Sequence, residues 1–493
     1  MKIRTIITQD AEVDDQNSLR HFLFYCNEVD LQGIVQTSSK FHWKGVPGKL
    51  VVEKNSGDFS GDPTEGTSDK PYRWPGTDWM FRVIDDYEKD YPNLCRHAEG
   101  YPTPDYLRSI TKVGNVGYKS EMDAPTEGSE LIRKTILDDD ERTLYLQIWG
   151  GTNTIARALM DIEAEFSGRP GWEQLHEKLT KKIVITACGE QDGTFRSYVA
   201  EKWPGIPFIK TLQMGSYAYT WPTMPEGESK DSLRADFMKR EILYTGSALT
   251  AGYCTWLDGN EYEGEPKECQ FGANPNIAKE WFGSAFGLPS GKPYDFISEG
   301  DSPTYFPLFD FGFRTLENFS WGGIGGRYHK EEGEKNSKGE ALNIWNVSRD
   351  AYIDRNGNTA DTESMWQYVA DIQRDFAARA CWAAADDFAK ADHRPELTVA
   401  EGNDIQAVPG QTVTLHGEAS SPDGDRTEVT FRVYREISAA WAGDACTALD
   451  DGAASYRIPE TAEKGDVLHV IVKAQAAGRH HLVHFSHVIV TVV

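Results

Sequence analysis

Four carboxylates, Asp10, Glu12, Asp14 and Asp15, fall within one short stretch, Thr8-Gln9-Asp10-Ala11-Glu12-Val13-Asp14-Asp15. Anions packed this closely repel one another unless a cation or shared protons offset the charge. Hard divalent ions such as calcium take roughly six to eight oxygen ligands at about 2.3–2.6 Å, which suits a carboxylate-rich turn. A second reading stays open from these residues alone: a solvated acidic loop in which Asp14 or Asp15 caps the following helix. Far along the chain, Glu299-Gly300-Asp301-Ser302-Pro303 is another turn able to present carboxylates.

The flanking residues say where these acids stand. The β-branched run Ile3-Arg4-Thr5-Ile6-Ile7-Thr8 predicts a buried strand, and Leu19, Phe22, Leu23 and Cys26 follow at helical spacing. The acids therefore occupy a strand-to-helix turn at the carboxyl end of a first strand, where open α/β sheets bind ligands. Asp30 to Ser39 reads as the next strand, completing a β-α-β unit. Residues 49–75 are loop or lid, and Asp78 to Tyr91 has helical periodicity, as does Gly128 to Leu137. Leu144 to Trp149 is a strand running into Gly150-Gly151-Thr152-Asn153-Thr154 and a further helix; a Gly-Gly turn there lets backbone approach closely, or is simply a tight connection. Lys182 to Cys188 repeats the pattern, ending in Gly189-Glu190-Gln191-Asp192-Gly193, and Phe208 to Leu212 is a short strand. Repeated strand, polar turn and helix predict an α/β domain with a mostly parallel sheet flanked by helices. Helix is expected again at Asp231–Leu243 and from Thr362 to Ala389. The glycine-dense Trp321-Gly322-Gly323-Ile324-Gly325-Gly326-Arg327 lacks the context of a nucleotide cradle and reads as a bend beside a pocket.

From Glu396 the texture changes to short alternating runs such as Val429-Thr430-Phe431-Arg432-Val433 and Val467 to Val472, separated by turns such as Ser421-Pro422-Asp423-Gly424-Asp425. This predicts an immunoglobulin-like β-sandwich over 394–493 beside a larger domain over 1–393.

Composition narrows the partners. A net charge of -26 repels nucleic-acid phosphates and anionic membranes, and no apolar run is long enough to span a bilayer. Seven cysteines without a C-x-x-C pair are neither a zinc pattern nor a disulfide framework, so a cytosolic setting is expected, or secretion if a leader has been removed.

Taken together, the acidic turn, Gly150-Gly151-Thr152-Asn153-Thr154-Ile155-Ala156, Glu190-Gln191-Asp192, Glu299-Gly300-Asp301-Ser302-Pro303 and the Trp321–Arg327 loop resemble a nucleoside-hydrolase-like family with a C-terminal sandwich, often labelled cellulose-binding protein. The resemblance covers nearly the whole chain. It implies a calcium-centred glycosidase site in which Asp10, Asp15, Asp301 and the Asn153 backbone carbonyl hold the metal. It further implies that Asp14 is the general base that activates water. Departures stand at Thr8, where nucleoside hydrolases carry another Asp, at Glu12, where they have a small residue, at Gly300, often His, and near Lys40, where a sugar-binding Asn is missing.

The leading expectation is therefore a calcium-dependent hydrolase of a small glycoside, N- or O-linked, other than a nucleoside. The expected substrate contacts are Glu12, Lys40, Gln191, Asp192, Glu299, Trp321 and Arg327. His42 and His329 are candidate leaving-group acids, against the plainer reading of ordinary core or surface histidines. The alternative is a carbohydrate-binding protein that keeps the hydrolase fold without catalysis, with Trp43, Trp221 and Trp321 stacking on sugars. For the sandwich, a scaffold or homodimer role is expected rather than polymer binding.

Overall fold

The computed structural model describes residues 2–49, 58, 67–262, 267–443, 446–449 and 452–493; most of the 49–75 loop lies outside them. Strands β1 (Ile3–Gln9), β2 (Val29–Gln36), β3 (Thr111–Val113), β4 (Leu144–Ile148), β5 (Ile183–Ala187), β6 (Phe208–Lys210), β7 (Tyr328–Lys330) and β8 (Ile344–Val347) form one sheet in the order β3-β2-β1-β4-β5-β6-β8-β7. All neighbours are parallel except β7 and β8. Parallel pairing demands crossovers, and α1 (Val13–Leu23), α2 (Trp79–His97), α3 (Pro104–Ile110), α4 (Glu127–Leu137), α5 (Asn153–Phe166) and α6 (Trp172–Lys182) supply them.

Both sheet faces are covered, which is why the strands read as near-continuous apolar runs. The pleat sends Ile6, Leu144, Leu146 and Ile148 into one core layer with Ile155, Leu159 and Ile162 of α5, and Ile7 and Tyr145 into the other. Each such aliphatic side chain contributes about 1.5–3 kcal/mol by leaving water. Register then aligns the strand ends: Thr37 N–H donates to Gln9 O, Trp149 N–H to Thr8 O and Cys188 N–H to Ile148 O, all at 2.8 Å. The polar turns after β1, β2, β4 and β5 are thereby gathered at one edge.

Sequence periodicity missed the edges. β3 and α3 arise from the turn-rich 101–118 segment, and β7 and β8 close the sheet from a region without strand texture. Such short strands carry little periodic signal. The helix expected over 362–389 is shorter, Val369–Ala384, because Thr359–Glu363 pairs with Arg349–Ile353 as a hairpin. The helix expected over Asp231–Leu243 starts only at Ala235, where Ala235–Phe237 continues directly into the wider-wound Met238–Leu243.

The C-terminal strands form two four-stranded sheets of a β-sandwich. One runs Glu396–Val399, Thr412–Ser420, Ala453–Arg457, Cys446–Leu449; the other runs Asp404–Ala407, Val483–Val492, Val467–Ala476, Thr427–Val433. Between them lies a separate apolar core that includes Leu415, Tyr456, Val470 and Val490. The sandwich packs on the larger domain through Phe485, whose ring meets Phe313 and Tyr368, and through Tyr434, whose hydroxyl donates to Asp350 at 2.6 Å. Among the described residues no helix is long and apolar enough to cross a membrane, and six cysteines are free.

Candidate functional site

Asp10 follows β1 directly, and Ala11 then adopts φ +75, a conformation a residue with a Cβ rarely takes. That kink folds the turn back so that Asp10 N–H donates to Asp15 Oδ1 at 3.0 Å. Glu12 occupies the N-cap of α1 but makes no capping hydrogen bond, and Asp14 accepts from Ser298 Oγ at 3.2 Å. The acids are thus turned on one another and on a distant loop.

That loop is fastened by the polar face of α1. Asn17 Nδ2 donates to Cys254 O and Ser298 O at 3.1 and 3.3 Å, Ser302 Oγ lies 3.0 Å from Ser18 Oγ, and His21 Nδ1 lies 2.7 Å from Glu299 Oε2. α1 is therefore buried nearly all round, where the sequence suggested one apolar stripe. The clamp delivers Asp301: one carboxylate oxygen each from Asp14, Asp15 and Asp301 lie within 4.8 Å of one another, and all three residues are buried. A second set, Asp10, Glu12 and His42, meets the same limit.

Glycines make the close approach possible. A Cβ on Gly150 would stand 2.7 Å from Asp10 Cβ, one on Gly151 2.6 Å from Asp192 Oδ2, and one on Gly300 2.9 Å from Asp14 Oδ2. The Gly-Gly turn thus brings backbone against the protein's own carboxylates. Gly300 stands where nucleoside hydrolases often carry His, and any side chain there would press on Asp14.

Electrostatics follow from this crowding. Burial, then the neighbouring carboxylates, pushes Asp14, Asp15 and Asp301 well above the usual carboxylate range, and Glu12 is raised chiefly by burial. Burial also opposes ionisation of Asp10, but the nearby His42 imidazole outweighs it and holds Asp10 below its ordinary value. Both Asp10 carboxylate oxygens and Asp301 Oδ2 are buried without a hydrogen-bond partner. Buried unsatisfied oxygens in a ring of carboxylates fit a hard cation as the missing partner.

The other expected site residues divide. Gln191 stays close: its Nε2 donates to Trp149 O, its Oε1 is buried without a partner, and its backbone carbonyl accepts from Lys40 N–H at 3.1 Å. Asp192 accepts Asn153 N–H at 3.1 Å and Thr194 N–H at 2.9 Å, so it holds the start of α5. Asn153 is the first residue of α5. Its side chain is engaged by Thr37, Ser38 and the carbonyls of Asn115 and Glu121. Gly150 is the backbone that meets Asp10. The expectation of Glu299 as a substrate contact is corrected, because it is fully buried and belongs to the His21 clamp. Trp321 and Arg327 lie at the sandwich instead of the site. Trp321 packs 5.8 and 6.0 Å from the His469 and His487 rings, and Arg327 pairs with Asp350 at 2.5 Å. Trp43 and Trp221 are buried, with indole N–H groups donating to Lys70 O and Phe296 O, both at 3.0 Å.

Sequence reading passed over Tyr219, whose hydroxyl donates to Glu12 Oε1 at 3.0 Å, and Trp281, stacked 5.1 Å from the Tyr219 ring. It also passed over Glu268, which accepts Val13 N–H at 3.4 Å. Tyr219 comes from a turn, and Glu268 and Trp281 from helices too short to carry a periodic signal. His42, a candidate leaving-group acid from the sequence, is fully buried beside Asp10.

Residues 4–328 match the family model described as "Cellulose-binding Sde182, nucleoside hydrolase-like domain". The chain belongs to this Sde182 nucleoside hydrolase-like family. Residues 412–492 match the model for the C-terminal domain of the cellulose-binding protein Sde0182. A solved structure of a nucleoside hydrolase-related hypothetical protein from Saccharophagus degradans, described as associated with carbohydrate metabolism, shares 23% identity. It aligns over 100% of both chains with a TM-score of 0.71, which establishes a common fold for this Sde182 family member. A plant nucleoside hydrolase, PpNRh1, aligns at 8% identity over 76% of this chain and 99% of its own, with a TM-score of 0.35. No curated protein matches the sequence.

Proposed function

We propose that this chain hydrolyses the glycosidic bond of a small glycoside, N- or O-linked, with calcium held by Asp10, Asp15 and Asp301 and with Asp14 as general base. The observation that carries this reading is the convergence of buried carboxylates from two distant turns, with unpartnered oxygens on Asp10 and Asp301. Oxygen-only donors select a hard cation over a soft one. Such an ion, when bound, makes a neighbouring water more acidic and offsets the repulsion among the acids.

The residues then divide the work. Asp14 is 8% exposed, against 1% for Asp15 and Asp301, so it is the member of the trio that reaches towards solvent. With Ser298 holding Oδ2, its other oxygen is available to take a proton from the attacking water. The surrounding anions favour the positive charge that develops on the sugar ring as the bond breaks. Gln191, with its unpartnered Oε1, supplies an acceptor for sugar hydroxyls, and Tyr219 fixes the neighbouring Glu12 carboxylate. Thr8 is spent in the sheet, donating to Gln147 O at 3.0 Å. A carboxylate that nucleoside hydrolases carry is thus absent, which favours a glycoside other than a nucleoside.

The cellulose-binding description of the family supports a second reading, carbohydrate binding without turnover. Chromogenic glycosides and nucleosides assayed with calcium and with EDTA separate the two. Hydrolysis predicts product that EDTA abolishes and that Asp14→Asn lowers by roughly 10²–10⁴-fold. Full activity in Asp14→Asn would remove Asp14 as base, and binding without any product would leave the second reading.

A further inference from the structure

We propose a second cation position in this chain, built by His42, Asp10 and Glu12, that takes a first-row divalent ion such as zinc. It goes beyond the calcium site and is read independently of any hydrolysis. His42 is fully buried, and neither ring nitrogen has a hydrogen-bond partner. A buried imidazole whose ring nitrogens lack hydrogen bonds is costly, and the carboxylate closest to it is that of Asp10. Its Nδ1 lies 3.5 Å from Asp10 Oδ2, beyond a normal hydrogen bond. The distance fits another geometry: two ligands on one tetrahedral ion, with bonds of about 2.0–2.2 Å, stand roughly 3.3–3.6 Å apart. A Glu12 carboxylate oxygen joins the same set within 4.8 Å.

The donor set differs in kind from its neighbour. The calcium donors Asp10, Asp15 and Asp301 offer oxygen alone, whereas an imidazole nitrogen with two carboxylates suits zinc and similar ions. Asp10 has two unpartnered oxygens, one for each position. Tyr219, by donating to Glu12 Oε1, sets the orientation of that carboxylate as an outer partner.

The test is a cobalt(II) titration of the calcium-saturated full-length chain, read by visible d–d absorption and by metal counting. The expected result is one cobalt per chain with calcium retained. His42→Ala should weaken cobalt uptake by more than the roughly 10–100-fold typical of losing an outer-shell partner. Glu12→Gln, nearly isosteric at a partly exposed position, should weaken it too, and retained calcium binding reports that each variant is folded. The proposal is overturned if cobalt is not taken up, if it replaces calcium one for one, or if uptake survives both substitutions.

Discussion

His21 Nδ1 and Glu299 Oε2 stand 2.7 Å apart with both side chains fully buried, joining the first helix to the loop that carries Asp301. On the loop side only Gly300 stands between Glu299 and Asp301. Glu299→Ala would leave His21, Tyr253 and Ser302 without their shared acceptor. Leaving a buried donor without its acceptor costs about 1–3 kcal/mol. Urea unfolding should show a loss of that size, with activity falling because Asp301 is no longer held. An unchanged midpoint would mean that the clamp is not structural.

Gly300→Ala tests the fit around Asp14. The added Cβ would stand 2.9 Å from Asp14 Oδ2, so the carboxylate must shift. Small displacements of a reacting group cost up to roughly 10²-fold in rate. The expected outcome is a fall in kcat of that order with a melting temperature close to that of the wild type. A purely structural glycine would give the reverse, a lower melting temperature and normal kcat.

Asp301→Asn should move stability in opposite directions with and without calcium. In EDTA, removing one carboxylate relieves repulsion with Asp14 and Asp10, so the melting temperature holds or rises. In calcium, the wild type gains stability as RT ln(1 + [L]/Kd), about 2.7 kcal/mol at a hundredfold excess over Kd, and the variant gains far less. Differential scanning calorimetry under both conditions reads this directly. Equal calcium-induced shifts in the two proteins would exclude Asp301 as a ligand.

The sandwich contact carries an acid sensitivity. His469 and His487 lie 2.9 Å apart against Trp321, and burial pushes them from 6.5 down to about 4 and about 3. Arg314 also faces them and disfavours their charged forms. The folded chain therefore binds fewer protons than the unfolded chain below pH 6.5, so the pair's contribution is complete above that value and declines towards pH 4. Stability measured from pH 7 to 4 should fall less in His469→Gln/His487→Gln than in the wild type. Trp321→Ala should lower stability and leave KM unchanged, since the ring serves this interface.

The sequence by itself determined the local pieces. Strand β1, the acidic turn after it, the repeated strand and helix units and the alternating C-terminal runs are all written in near-neighbour periodicity, and all stand where that periodicity predicts. It also marked two separate acidic turns, one with Asp10, Asp14 and Asp15 and one with Asp301, which the family resemblance joined into one set. Only the tertiary structure decided which groups meet. The order β2-β1-β4-β5 aligned four turns at one edge, and polar contacts from Asn17, Ser18 and His21 drew in a loop about 280 residues away. Those contacts separated Asp301, which faces the acids, from Glu299, which does not. They also assigned Trp321 and Arg327 to the sandwich and left His42 beside Asp10. Pairing between distant turns depends on sheet order and on buried polar fastening, and neither leaves a trace in spacing along the chain.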